Sequence, residues 1–354
     1  MAQVDTLIVG QGLAGSILAW MLMQRGQRVV VVDAALYPSA SRCAAGIVNP
    51  LSGPRLAKTA GFETRWRVAA RVYGDLSLQL GKPFWNEIPL LRVLRSDNER
   101  QMLEQRRSEA NYRPYIDTIM GSGRTGLPID DPFGSVALKN AGYVDTAALL
   151  GVLRAYLKTH DSLVETSFVY EHLKTSGSDA WDWHGISATQ VIFCEGYGVS
   201  ANPWFHTLPL QPVAGEVLTL ETGAELPRQI INKGHWLLPL NDRACRVGAT
   251  YAWGWQRLEP TGRAREELLA ALSALWRIDL TPRVVAHCIG ARVGTTDKSP
   301  LLGRHPRRPA LLVFNGFGSK GASSIPYFAE RMVQHLLDAK PLPAEADISR
   351  CAAL

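Results

Sequence analysis

Cysteine is scarce in this sequence and follows no pattern. Among 354 residues there are five, Cys43, Cys194, Cys245, Cys288 and Cys351, an odd number with no CxxC pair. That argues against a disulfide scaffold and against a zinc site, and no metal centre is expected; it fits thiols kept reduced in a cytoplasmic setting. No apolar run reaches the roughly 20 residues that span a bilayer. The first strand begins so soon after Met1 that little room is left for a cleavable leader. Polybasic runs are also missing. Lys and Arg outnumber Asp and Glu by 38 to 32, but they are dispersed, as at Arg65, Arg67 and Arg71 or at Arg304, Arg307 and Arg308. Such positions read as solvated faces, so nucleic acid is not the expected partner, and a mild positive field suits an anionic small molecule. The final residues Cys351 to Leu354 match the prenylation pattern C-a-a-X, yet without a basic run before them prenylation is not expected. What remains is an ordinary globular composition, 46% hydrophobic and 20% charged, long enough for two domains.

What is present begins at Leu7. The stretch Leu7 to Asp33 runs from a short apolar segment into Gly10-Gln11-Gly12-Leu13-Ala14-Gly15, then a helical segment ending near Gly26, then Val29 to Val32 and Asp33. This is the strand–turn–helix–strand pattern that binds the ADP half of a dinucleotide. Gly10 allows the tight turn, Gly12 lets backbone approach a pyrophosphate, and Gly15 lets helix and strand pack closely. The helix N-terminus offers unpaired N–H groups and positive dipole density. Asp33 falls 23 positions after Gly10, where a carboxylate accepts ribose hydroxyls and disfavours a 2′-phosphate. FAD or NAD is therefore preferred over NADP.

Directly after Asp33 come small residues, Ser39 to Ala45 and Gly46, with Arg42 among them and an Asn49-Pro50 turn following. Small side chains let backbone approach a flat ligand. Helical spacing is predicted from Thr64 to Leu80, and Asp97 caps a charged helix. Between Ser108 and Leu138 the chain reads as loops with short strands. Asp145 is an N-cap for a helix from Thr146 to about Lys158. Val164 to Val169 and Gln190 to Gly198 read as strands. Alternation at Glu216–Leu220, Gly234–Leu240 and Arg246–Ala252 predicts antiparallel strands, and Thr261 to Trp276 an amphipathic helix. Trp236, Trp253 and Trp255 read as core, or as an aromatic pocket. Leu311 to Asn315 enters a second glycine-rich turn, Gly316 to Gly321, before a helix from Ile325 to Leu337.

These pieces, in this order, resemble the D-amino-acid oxidase family of flavoproteins, which includes glycine oxidase and sarcosine oxidase. The segments carrying the resemblance are Gly10 to Asp33, Ser41-Arg42-Cys43-Ala44-Ala45-Gly46 and Gly142 to Asp145. Pro212 to Glu216, Gly248-Ala249-Thr250, Gly290 to Thr295 with Asp297 and Pro300, and Asn315 to Gly321 complete it. The resemblance implies an α/β fold: a Rossmann-like FAD-binding domain of glutathione-reductase type, with an inserted α+β substrate domain built on an antiparallel sheet. The expected FAD domain is discontinuous, 1–80, 145–212 and 290–340; the expected substrate domain is 81–144 and 213–289. Gly10, Gly12, Leu13, Ala14 and Gly15 would hold the pyrophosphate, and Asp33 with Ala34 the adenosine ribose. Ser41, Arg42, Ala45 and Gly46 would line the ribityl and isoalloxazine region, Phe168 would meet adenine through its backbone, and Glu195 and Gly196 would lie nearby. Gly318, Ser319, Lys320 and Gly321 would sit at the pyrimidine side of the flavin, where Lys320 stabilises negative charge at N1/O2.

Arg292 occupies the family's Arg-x-Gly-Thr-x-Asp position, where a guanidinium grips a substrate carboxylate with two parallel hydrogen bonds; a structural ion pair with Asp297 is the alternative. Two departures stand out. Val293 replaces the proline usual in glycine oxidase, and Gly234-His235-Trp236 stands where relatives place a tyrosine. His235 is a candidate proton acceptor from an ammonium, and Trp236 and Asn49 are candidate substrate contacts. The expected reaction is oxidation of the CH–NH bond of an amino acid or related amine, by hydride transfer to flavin N5, giving an imine, with O2 or another acceptor reoxidising the cofactor. The rival readings are 2-hydroxy-acid oxidation, a tRNA-modifying flavoenzyme, and flavin binding without turnover. Non-covalent FAD is favoured over attachment through Cys43.

Overall fold

The computed structural model describes residues 2–35, 39–176 and 180–351. Of the C-terminal Cys-Ala-Ala-Leu pattern, all but Cys351 lies outside these. Contacts divide the chain into two compact units, Met1–Arg42, Thr146–Val213 and Ala291–Leu354 in the first, and Cys43–Asp145 with Ala214–Gly290 in the second.

In the first unit, five strands run parallel in the order Leu163–Val164, Val29–Val32, Ala2–Val9, Ile186–Phe193 and Arg308–Asn315. Ala180–Trp183 and Leu173–Ser176 add an antiparallel meander beside Ile186–Phe193. Continuous apolar runs such as Val29 to Val32, buried at all four positions, are what a parallel sheet covered on both faces requires. One core gathers Leu7, Val9, Val191, Phe193, Val313, Trp183 and Phe205. The helix Leu13–Gln24 follows the glycine turn and is buried from Leu13 through Leu22 except at Ala14. The closing helix is Gly321–Asp338, four residues longer at its start than the apolar spacing suggested, with Pro326 inside it. The strand expected over Val164–Val169 ends at Val164. Its neighbour Val29–Val32 stops opposite Val164, so the ladder between them ends there.

The second unit is built on an eight-stranded sheet in the order Arg283–Thr295, Leu210–Glu221, Ala244–Gly248, His235–Asn241, Ile230–Lys233, Leu90–Val93, Ser135–Leu138 and Ile116–Met120. The paired registers are antiparallel, except that Ile230–Lys233 runs parallel to Leu90–Val93. One face is covered by the helix Gly262–Leu275. Leu268, Leu272 and Leu275 pack there against Leu91, Ile231, Leu237, Cys245, Val247, Leu218 and Leu220. Because side chains alternate across a strand, Arg92, Asn232, Trp236, Arg246 and Gly248 fall on the opposite face. The grouping differs from the expected boundaries at residues 43–80, which join the second unit. Ile47–Val48 pairs with Gly142–Val144, and Trp66 of the helix Phe62–Leu80 packs edge-on against Trp85.

Candidate functional site

The glycine turn of the first unit leaves no room for a side chain at Gly10 or Gly15. Gly10 has φ +101°, and a Cβ there would stand 2.7 Å from the Cys194 carbonyl oxygen. A Cβ on Gly15 would stand 2.0 Å from the Gly10 oxygen, so the helix can start against the strand only with glycine at this position. The Gly10 N–H bonds Val32 O at 2.9 Å, fastening the turn to the second strand. Ser41 joins the same turn: its Oγ accepts the Leu13 N–H at 3.0 Å. Asp33 closes the far side. Its carboxylate accepts the backbone N–H groups of Gln11 and Ala35, both at 2.8 Å. Ala34, between them, is half-buried.

Arg154 belongs to this constellation, although no local motif marks it. From the helix Thr146–Thr159 it donates to Asp33 Oδ1 and to Gln11 Oε1, each at 3.0 Å, and pairs with Glu165 at 2.8 Å. The Gln11 amide in turn donates to Ser16 Oγ and to Leu150 O.

Glu195 follows the strand Ile186–Phe193 at the edge where Gly10 lies. Tyr170 Oη donates to its carboxylate at 2.6 Å and Asn202 Nδ2 at 2.8 Å. Burial pushes this carboxyl up to about 7, against the lowering by those two hydrogen bonds. The O–H of Tyr170 is in turn raised above its usual range by burial and by Glu195. Gly196 O accepts Asn315 Nδ2 at 2.9 Å, linking two parallel strand ends. Phe168 stacks on Trp183 with centroids 5.1 Å apart, so its ring is part of the core rather than of an open surface.

The second glycine turn also lies in the first unit. Gly318–Lys320 forms one 3-10 turn and Lys320 precedes the helix Gly321–Asp338. Ser323 and Ser324 hydroxyls donate to Lys320 O at 3.0 and 2.6 Å, which fixes the backbone of that helix start. Arg292, half-buried, stands on the strand Arg283–Thr295. Two residues on, a Cβ at Gly294 would lie 3.6 Å from Gly318 Cα, so the strand runs against the turn. Asp297 pairs with Arg350 at 3.1 Å and accepts the Thr295 hydroxyl at 2.7 Å.

Arg42, on the short helix Ala40–Cys43, is in the first unit, and the remaining candidates fall in the second. Gly46, at φ +66°, has no room for a Cβ, which would sit 2.0 Å from Val144 O; Ala45 beside it is buried. Asn49 Oδ1 accepts the Leu51 N–H at 3.0 Å in a local turn. Arg246 holds the small-residue segment, donating to Ala44 O at 2.7 Å and to Cys43 O. His235 and Trp236 point to opposite faces of the sheet. His235 lies on the helix-covered face, where its Nε2 is 3.1 Å from Glu267 Oε1. Trp236 lies on the other face over Gly248, where an added Cβ would meet the indole at 2.7 Å. Trp253, read as core or pocket, is 66% exposed, as is Tyr251.

The comparisons with known proteins agree with this architecture. The model of the DAO family, described as FAD dependent oxidoreductase, matches residues 5–335, and the chain belongs to that family. A tRNA 5-methylaminomethyl-2-thiouridine biosynthesis bifunctional protein of Aromatoleum aromaticum is 27% identical over 97% of this chain, which spans 58% of that relative's length. A glycine oxidase of Pseudomonas putida is 24% identical, with 96% of each chain covered. Among solved structures, glycine oxidase from Geobacillus kaustophilus superposes with a TM-score of 0.84 at 20% identity, covering 100% of this chain and 99% of the other. Iminodiacetate oxidase from Chelativorans gives 0.80 at 21%, with 98% of each chain covered. These two share the fold. The protein is thus an FAD-dependent oxidoreductase. Its bare glycine turn, the helix start behind it and the Asp33 carboxylate beyond suit the pyrophosphate and ribose of that cofactor. Among the described residues no helix is long and apolar enough to cross a membrane.

Proposed function

We propose that this flavoprotein oxidises the CH–NH bond of an amino acid or a related carboxylated amine, releasing an imine that water hydrolyses. FAD, when bound, supplies the two-electron acceptor. Arg292 clamps the substrate carboxylate, and most of its contribution is positional, because a bidentate guanidinium fixes the orientation of the carbon that loses hydrogen. Lys320 and the start of the helix Gly321–Asp338 present positive charge to the pyrimidine edge of the flavin. The observation that carries the reading is the packing of the Arg292 strand against the Gly318 turn, where a Cβ added at Gly294 would stand 3.6 Å from Gly318 Cα. A glycine oxidase similar along 96% of the chain supports the same chemistry. Anaerobic mixing of the flavin-loaded protein with a panel of amino acids, N-substituted glycines and 2-hydroxy acids tests it. Amines should bleach the flavin band and hydroxy acids leave it; the reverse pattern would discard the proposal. Arg292→Ala should weaken carboxylated substrates about a hundredfold or more, of order the 3 kcal/mol of a lost charge-assisted pair, while FAD affinity stays within a factor of a few.

A second reading takes the amine on a modified nucleoside. The similarity to the tRNA-modifying protein of Aromatoleum aromaticum favours it, together with the exposed rings of Tyr251 and Trp253, which suit base stacking. It requires bleaching by an aminomethyl-bearing RNA and a salt-dependent affinity for that RNA; indifference to RNA returns the choice to small amines.

A further inference from the structure

Cys43, Cys288 and Arg246 form a cluster in the second unit to which the reaction above gives no part in chemistry. Cys43 ends the short helix Ala40–Cys43 and is 5% exposed. Cys288, half-buried, comes from the strand Arg283–Thr295, and Arg246 from Ala244–Gly248. Cys288 Sγ lies 3.9 Å from Cys43 O, to which its thiol donates, and 3.8 Å from Arg246 Nη2. Two cysteines brought together from segments more than 200 residues apart, with one guanidinium bonding the carbonyl of the first and the sulfur of the second, are an arrangement that packing alone does not call for. All five cysteines carry thiols.

We propose that Cys43 and Cys288 form a hydroperoxide-sensitive dithiol that closes to an intramolecular disulfide. The inference does not depend on the amine reading. Cys288 is the attacking sulfur: the neighbouring Cys43 side chain and the charge of Arg246 hold it down at about 7, against the raising effect of burial. The thiolate is the reactive form, so this sulfur is ionised in the neutral range where an ordinary thiol is not. Burial holds the Cys194 thiol well above its usual value and pushes Cys245 up to about 12, which removes both from competition.

In the first step the Cys288 thiolate attacks the O–O bond of hydrogen peroxide or an organic hydroperoxide. A sulfur–oxygen bond forms, the O–O bond breaks, and the leaving oxygen takes a proton to depart as water or an alcohol. In the second step the Cys43 sulfur displaces hydroxide from the Cys288 sulfenic acid, and the thiol proton leaves with it as water. Overall two thiols give up two electrons to one peroxide. The bond would tie residue 43, at the head of the Ala44–Gly46 segment whose carbonyl Arg246 already holds, to the strand that leads to Arg292.

The test treats the full-length, FAD-loaded protein with equimolar hydrogen peroxide, then alkylates it under denaturing conditions and maps it by mass spectrometry. Two of the five thiols should be lost, with a Cys43–Cys288 cross-linked peptide lighter by two hydrogens and restored by dithiothreitol. Cys43→Ser should block the cross-link and leave a sulfenic acid at Cys288 that dimedone traps. Cys288→Ser should abolish both products. Modification confined to Cys351, a cross-link joining any other pair, or an unreactive Cys288 in Cys43→Ser would each overturn the proposal. The Cys43→Ser trapping experiment decides the matter even if Cys288→Ser does not fold.

Discussion

Glu195, in the first unit, meets a phenol and an amide, whereas Glu99, in the second, meets two guanidinium groups. Glu99 is 3% exposed, and Arg92 and Arg95 reach its Oε1 at 3.2 and 2.6 Å. Arg95 N–H adds a bond to Oε2, and Arg92 is braced further by Asn232 Oδ1 at 2.9 Å. Glu99 is buried and Glu195 half-buried, and of the two only Glu99 is paired with opposite charge among the described residues. Neutral donors orient a carboxylate without repaying much of its desolvation, and a salt bridge does more. The two sites therefore have different liabilities. The first is sensitive to pH, and the second to the loss of either partner.

The largest expected effect is at Glu99. Glu99→Gln leaves Arg92, itself 6% exposed, facing Arg95 with no counter-charge. Breaking one side of a buried pair costs about 3–5 kcal/mol, and urea denaturation followed by tryptophan fluorescence should show a loss of that size. The pair Glu99→Leu with Arg92→Met should recover most of it, since no charge then remains to desolvate. A single variant as stable as the wild type would mean that water reaches this cluster, and the contrast with Glu195 would collapse.

Glu195 should show its difference through pH. Its carboxyl stands at about 7 in the folded protein against 4.5 for the ordinary group. Between those values the folded state binds more protons than the unfolded one, so unfolding free energy falls as pH rises through the window and levels off above about 7. The full drop is roughly 3 kcal/mol for a shift of this size. Glu195→Gln carries no ionisable group and should flatten that part of the profile while Tyr170 still donates to the amide oxygen. The measurement is the urea midpoint from pH 5 to about 8; an unchanged slope in the variant would place the titration elsewhere.

What could be read ahead of the structure follows from how local each signal is. Gly10, Gly15 and Asp33 act within one βαβ unit, and their spacing alone defines the cradle. The helix from Thr261 was legible because apolar spacing is a local signal, and the Thr261 side chain caps it by accepting the Ala264 N–H. Arg154, Arg246 and Arg92 were not legible. Arg154 reaches Asp33 across 121 positions and Arg246 reaches Ala44 across 202, and an isolated arginine in an alternating or helical run looks like any solvated one. The face of His235 was not legible for a related reason: alternation put it on a strand, but the face it occupies is set by Leu237 beside it packing under the helix Gly262–Leu275. Trp253 shows the opposite failure, since side-chain size suggested burial and the loop leaves it exposed.

The smallest effect should come from the ion pair at Asp33, which tests whether the first unit relies on charge at all. Arg154 and Asp33 side chains are 12% and 22% exposed, so solvent screens the pair more than it does Glu99 with Arg92. Asp33 also keeps the Gln11 and Ala35 N–H bonds without Arg154, and these alone hold the carboxylate facing the turn. Arg154→Gln should therefore cost about 1 kcal/mol of stability and weaken FAD by about fivefold, from the unbalanced charge beside the cofactor's phosphates. Asp33→Asn should weaken FAD more, because it replaces one oxygen of the carboxylate expected to accept the ribose hydroxyls with an amide donor. Quenching of flavin fluorescence on titration gives both constants. If Arg154→Gln loses FAD as severely as Asp33→Asn, then Arg154 is a direct partner of the nucleotide, and the backbone scaffold credited to this unit is insufficient without it.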